Sequence, residues 1–321
     1  MRMKMNRPLL LWILMLCLSA STAAAEKNFS VTLSEITSIG SLNDDSLYMW
    51  VDIEVDNQNR IYVTDTMDYS VKYLSHSGKL LKKSGRKGQG PGEFLAPRSL
   101  ECTEDFIYVI DQYLQGIRVF SKKLEFIKII PYRRPITEFK VISDDKIAVI
   151  PFSPQSRGKL EFIDSRGQKT AGIHYGKDGK SLFMDTVSFD IDSAGFIYLA
   201  YNFQDRIEKL DSRGDRIWTR SLLGISKTKM KKVKEYRVPA EIIYKSIELD
   251  SQGRIYVLGG KYSENSSRDV YIMNNSGEFL HTLTLPESSH CIYIDRNNCL
   301  YSRANSGVTI KKYRMLFSGP K

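Results

Sequence analysis

The chain has 321 residues, of which 42% are apolar. That is the composition of an ordinary globular protein with a sizeable core, not of a disordered or collagen-like chain. Its formal charge of +10 bears on association with anionic partners and not on fold. No pair of its four cysteines has the C-x-x-C spacing of a zinc or redox site.

At the N-terminus, Arg2, Lys4 and Arg7 precede an apolar run from Leu9 to Leu18, and small residues then lead to Ala23-Ala24-Ala25. This pattern predicts a secretory signal peptide over residues 1–25, cleaved after Ala25, and export to the periplasm or beyond the cell. The apolar run is shorter than the ~20 residues a membrane span needs, so no span is expected after cleavage. Cleavage lowers the formal charge to +7 and leaves Cys102, Cys291 and Cys299. In a regular hairpin Cys299 would face Ile294, so the spacing to Cys291 demands no disulfide.

The segment Phe29 to Ile36 alternates as a strand and stands before the first full repeat. After it, a turn of Asp, Asn, Ser and Gly residues leads six times into a strand on an Ile-Tyr-Val theme. The six cores are Ile61-Tyr62-Val63, Ile107-Tyr108-Val109, Ile147-Ala148-Val149, Ile197-Tyr198-Leu199, Ile255-Tyr256-Val257 and Leu300-Tyr301-Ser302. Self-similarity at roughly 40–50 residues marks four-stranded propeller blades. Residues 26–321 are therefore expected to form one all-β domain, a six-bladed β-propeller with antiparallel blades. Blade four displays the plan best, with strands at Val187–Ile191, Phe196–Ala200 and Arg206–Leu210 and a fourth from Asp215. In the sixth repeat the third strand, Val308 to Arg314, leaves too little chain for a fourth. The N-terminal strand is expected to supply it and close the ring.

Gly85-Arg86-Lys87-Gly88-Gln89-Gly90-Pro91-Gly92-Glu93-Phe94, followed by Pro97, resembles the inter-blade junction of secreted bacterial six-bladed propellers of the NHL-repeat-like (TolB-like) superfamily. The resemblance extends over about residues 50–315 and implies fold more than activity. The glycine-rich segment lacks a following Gly-Lys-Ser or Gly-Lys-Thr and leads to a strand, so it is read as a blade connection and not a phosphate loop.

Three places could carry chemistry. Aligned first strands put Glu54, Leu100, Lys140, Asp190, Glu248 and Tyr293 at matching axial positions. Glu54, Asp190 and Glu248 are thus a candidate calcium site, since that ion takes six to eight oxygen ligands. The plainer alternative is that Lys140 pairs with one carboxylate while water solvates the rest. Calcium-dependent lactonases of related fold use such an axial site, but their full ligand set is not matched. No H-x-H, H-E-x-x-H or G-x-S-x-G arrangement occurs, and Asp56, Asp192, Asp250 and Asp295 read as turn formers.

The second place is an aromatic and basic rim on the loops that join strands two and three, or successive blades: Tyr69, Tyr113, Arg133, Arg134, Tyr201, Phe203 and Tyr262. The third is an insertion before blade five, with Lys227, Lys229, Lys231, Lys232, Lys234 and Arg237 opposed only by Glu235. It reads either as an electrostatic lid or as a solvated charge run, in the form of one exposed helical turn. The expected function is a secreted, non-catalytic module that binds a peptide, protein or glycan, with anionic ligands favoured. The alternative is a metal-assisted, lactonase-like hydrolase or lyase. Nucleic acid is not an expected partner, because export removes the usual substrate.

Overall fold

The computed structural model describes residues 29–41, 46–152, 158–176, 183–304 and 307–319. The expected signal peptide lies outside the described residues. Strand β1 (Ser30–Ile39) comes first. Blade one follows as β2 (Trp50–Val55), β3 (Ile61–Asp65), β4 (Ser70–Leu74) and β5 (Leu80–Ser84). Blade two is β6 (Pro97–Cys102), β7 (Phe106–Asp111), β8 (Ile117–Ser121) and β9 (Phe126–Ile130). Blade three is β10 (Ile136–Ser143), β11 (Lys146–Pro151), β12 (Lys159–Ile163) and β13 (Lys169–His174). Blade four is β14 (Val187–Ile191), β15 (Ile197–Tyr201), β16 (Ile207–Leu210) and β17 (Arg216–Arg220). A separate hairpin, β18 (Met230–Val233) and β19 (Tyr236–Pro239), precedes blade five. That blade is β20 (Tyr244–Leu249), β21 (Ile255–Gly259), β22 (Asp269–Met273) and β23 (Phe279–Thr284). Blade six is β24 (Ile292–Ile294), β25 (Cys299–Ala304) and β26 (Thr309–Ser318), completed by β1.

Ring closure is antiparallel pairing of β1 with β26, from Ser30 opposite Ser318 to Ile39 opposite Ile310. The pairing covers an edge that would otherwise expose unpaired backbone groups. The second strand of each blade is buried on both sides, which explains its Ile-Tyr-Val content. The core lies between neighbouring blades: Ala148, Leu160 and Phe162 of blade three pack with Val187, Phe189 and Leu199 of blade four.

In the repeats that carry it, the tyrosine has a specific partner. Asp250 Oδ1 accepts the backbone N–H groups of Gln252 and Arg254, both at 2.9 Å. Its Oδ2 accepts Arg254 Nε at 2.6 Å and the Tyr256 hydroxyl at 2.9 Å. Asp192 and Asp295 hold Tyr198 and Tyr301 in the same way, at 2.9 and 3.0 Å. Blade two begins its turn with Thr103, and its Tyr108 instead donates to Asp144 of blade three at 2.8 Å. Blade three carries Ala148 at the tyrosine position, so Asp144 is available to its neighbour. These carboxylates are turn formers, as their sequence context suggested.

The hairpin of blade six has a register different from the one expected. Ile294 faces Leu300, and Cys299 pairs with Arg314 of β26. Cys102, Cys291 and Cys299 are free thiols.

Candidate functional site

Antiparallel connection puts the turns between strands one and two, and between three and four, on one face of the ring. The longer loops joining strands two and three, and joining blades, share the opposite face. On that loop face, buried aspartates hold the junctions. Asp65 accepts the N–H groups of Tyr48 and Met49 at 2.8 and 3.0 Å, and Asp111 accepts those of Leu95 and Ala96, both at 2.8 Å. The glycine-rich segment is such a junction. The Glu93 carboxylate accepts Gly90 N and Arg86 Nε, both at 2.8 Å, and a Cβ on Gly88 would sit 2.0 Å from it.

The first strands line the axis with alternate side chains. The residues facing the repeat tyrosine position are Glu54, Glu101, Lys140, Asp190, Glu248 and Tyr293. Blade two therefore contributes Glu101, not Leu100, which is wholly buried between sheets. The cause is a turn one residue shorter. Seven positions separate Glu101 from Tyr108, against eight from Glu54 to Tyr62.

Four carboxylates thus surround one ammonium. Lys140 Nζ lies 3.0 Å from Glu101 and 3.9 Å from Asp190. Tyr293 donates to Glu54 at 3.1 Å across the seam between blades six and one. Burial pushes the Glu54 and Glu248 carboxyls well above the usual carboxylate range, and it raises Asp190 too. Glu101 is carried by burial to about 7, against the lowering effect of Lys140. Burial alone would lower Lys140, yet the surrounding carboxylates outweigh it and hold the ammonium charged. Among the described residues, no group of three or more His, Cys, Asp or Glu side chains is arranged to hold a metal ion. Lys140 supplies a cation among Glu54, Asp190 and Glu248, as in the plainer of the two sequence readings.

One layer nearer the loop face stand Asp52, Ser99, Glu138, Ser188, Ser246 and Cys291, which line a cavity of about 200 Å³. Arg98, Lys245, His290 and Arg303 line it as well. Burial raises Glu138 to about 7, opposed by the nearby Arg98. A second cavity, about 120 Å³, enters from the turn face, and both are lined by Glu54 and Tyr293. That hydrogen-bonded pair is the partition between them.

The expected rim is only partly a rim. Tyr113 is 68% exposed, and Arg133 is exposed as well. Tyr69, Phe203 and Tyr262 are half-buried. Arg134 lies over the Tyr132 ring and pairs with Glu161. Tyr201 is a correction: it is wholly buried in β15, its hydroxyl donating to Glu208 at 2.9 Å. Glu208 is itself buried and needs that donor. The insertion is a β-hairpin, not a helical turn. Lys227, Lys229, Lys231, Lys232, Lys234 and Arg237 are all exposed, and Lys234 takes φ 54° at its tip. The hairpin is anchored by Thr228, which donates to the Phe203 carbonyl, and by Lys229 N, which donates to the Tyr262 hydroxyl at 3.3 Å. Phe203 and Tyr262 thus serve as footings of the basic hairpin.

The channel-mouth residues Arg98, Glu138, Lys245, His290 and Arg303 were not read from the sequence. Counting two residues back from the axial position would have found Glu138, but not the others.

The fold is shared with solved structures of low identity. A structural genomics protein of unknown function from Bacteroides thetaiotaomicron aligns with TM-score 0.60 at 12% identity, over 90% of this chain and 77% of that one. A member of the DUF4221 family from Bacteroides vulgatus aligns with TM-score 0.60 at 11% identity, over 90% and 99%. Virginiamycin B lyase from Staphylococcus aureus aligns with TM-score 0.55 at 12% identity, over 90% and 100%. No curated protein matches the sequence. The family model DUF5128, described as a 6-bladed beta-propeller, matches residues 43–213, and the chain belongs to that family.

Proposed function

We propose that the protein is an exported binding module that holds a peptide, protein or glycan bearing anionic groups on its loop face. One observation carries this reading. Tyr48, Met67, Tyr113 and Phe152 are 46%, 63%, 68% and 56% exposed, and all four lie on loop-face connections of blades one to three. Large apolar side chains gathered on one face mark interaction surfaces more often than isolated exposure does. The channel mouth, where Arg98, Lys245 and Arg303 stand, opens on the same face, and the basic hairpin stands beside blade five. Both favour an acidic ligand by electrostatic attraction.

The test is an array of immobilised peptides and glycans, probed with the wild-type chain and with a Met67→Ser/Tyr113→Ser/Phe152→Ser variant. Saturable binding to acidic members, lost in the variant and kept in the turn-face control Gln58→Ala, is the expected result. Equal binding by all three proteins would remove the loop face from the account.

A second reading is a metal-assisted hydrolase or lyase at the axis, with calcium as the ion; the fold shared with a lyase supports only its lyase part. Elemental analysis of the mature protein before any chelator decides it. Near-stoichiometric calcium would restore this reading, and a metal-free protein would end it.

A further inference from the structure

We propose that Lys245, His290 and Arg303 form the receiving site for a single oxyanion, a carboxylate or phosphate group at the end of a ligand. This rests on the loop-face reading and specifies what enters the channel mouth.

The three groups, two cations and an imidazole, come from two neighbouring blades. Lys245 is the second residue of β20, while His290 precedes β24 and Arg303 lies in β25. All three line the cavity of about 200 Å³. Ser289, 1% exposed, ties them together. Its carbonyl accepts Lys245 Nζ at 2.6 Å. Its hydroxyl donates to the Cys291 carbonyl at 2.6 Å, with the Arg303 carbonyl at 3.1 Å, and accepts Arg303 N at 2.9 Å. The Arg303 guanidinium lies 5.9 Å from the centre of the Trp50 ring. Lys245 Nζ and the Arg303 backbone are therefore held by a buried residue, while the adjacent His290 is exposed at the mouth.

Lys245 also has capacity to spare. An ammonium carries three donors, and the Ser289 carbonyl is the one hydrogen-bond partner of Lys245 Nζ among the described residues. No ion pair among the described residues includes Lys245. Burial lowers Lys245 and His290, and Arg303 adds to the lowering of both. Such mutual repulsion is relieved when an anion enters between the groups. On the facing wall, Asp52 is already occupied by Ser99 Oγ at 2.5 Å and Leu100 N at 3.0 Å. Glu138, raised by burial to about 7, is partly protonated near neutrality and can donate to an oxyanion.

Size limits the occupant. Pockets that enclose whole ligands span roughly 300–1,000 Å³. The mouth therefore admits one end group while the body of the ligand stays on the loop face, a mode used in recognising terminal carboxylates.

The test follows the His290 ring resonances, assigned with His290→Gln, during titration of the full mature chain. Sodium acetate is used in one arm and inorganic phosphate in the other, each against sodium chloride at matched ionic strength. A saturable shift beyond the chloride control is expected, with the arm that saturates at lower concentration identifying carboxylate or phosphate as the preferred group. Lys245→Gln should weaken that binding by about tenfold or more, and Lys245→Arg should retain it. No shift beyond chloride, or an unchanged affinity in Lys245→Gln, overturns the proposal. The two readings fail separately: array binding independent of the rim residues would sink the loop-face reading while leaving this titration intact.

Discussion

Carboxylates at two places in this propeller live under opposite conditions. Those of the turn face are met by nearby N–H and O–H donors, as Asp250 is by Gln252, Arg254 and Tyr256. Backbone donors lead the causes that hold Asp164 and Asp211 below the usual carboxylate range. At the axis, Glu54, Glu101, Asp190 and Glu248 are buried around the ammonium of Lys140, and burial raises all four. The same residue types are thus structural where donors are plentiful and proton-holding where they are scarce. Burial set against donor supply, not identity of residue, separates the two.

The sharpest way to break that contrast is to remove the axial cation. Lys140→Met leaves four buried carboxylates without a positive charge, and about 3–5 kcal/mol of stability at pH 7 should be lost. Urea unfolding should show part of this loss recovered at pH 5, where the carboxyls take up protons. Next in size is Asp250→Ala, which strands the buried Tyr256 hydroxyl and a turn. Chemical denaturation should register a loss of about 2–4 kcal/mol with little dependence on pH between 6 and 8.

A third effect is the pH dependence of the wild-type fold. Burial raises Glu101 from 4.5 to about 7, and Glu138 likewise from 4.5 to about 7. Between those values the folded chain binds protons that the unfolded chain has released. This contribution is complete below the unfolded value and is lost as pH rises through the folded one. Each group should therefore lower stability by roughly 1–3 kcal/mol from about pH 5 to pH 8, and Glu101→Gln should flatten the fall seen in thermal melts. The smallest effect belongs to the rim. Tyr113→Ser and Met67→Ser should change stability by no more than about 0.5 kcal/mol, since both side chains are largely exposed, while removing ligand binding.

The architecture was legible because it is written locally. Alternation with period two, recurring turn residues and the spare strand Phe29–Ile36 are each readable within a few residues. The axis was legible except where turn length changed: one residue fewer before Phe106 shifted the apparent axial position from Glu101 to Leu100. Tyr201 was placed at the rim because the second strand of blade four was ended one residue early. The channel mouth was hidden for a different reason. Lys245, His290 and Arg303 stand far apart in sequence and meet only through the ring geometry, so no spacing rule joins them.

The most direct measurement is a carbon-13 NMR titration of the side-chain carboxyl groups, comparing Glu101 and Glu138 with Asp164 and Asp211 in one sample. The account predicts midpoints near 7 for the axial pair and midpoints below the usual carboxylate range for the turn pair. Ordinary midpoints at Glu101 and Glu138 would contradict it, because the axis would then be as well supplied with donors and solvent as the turns.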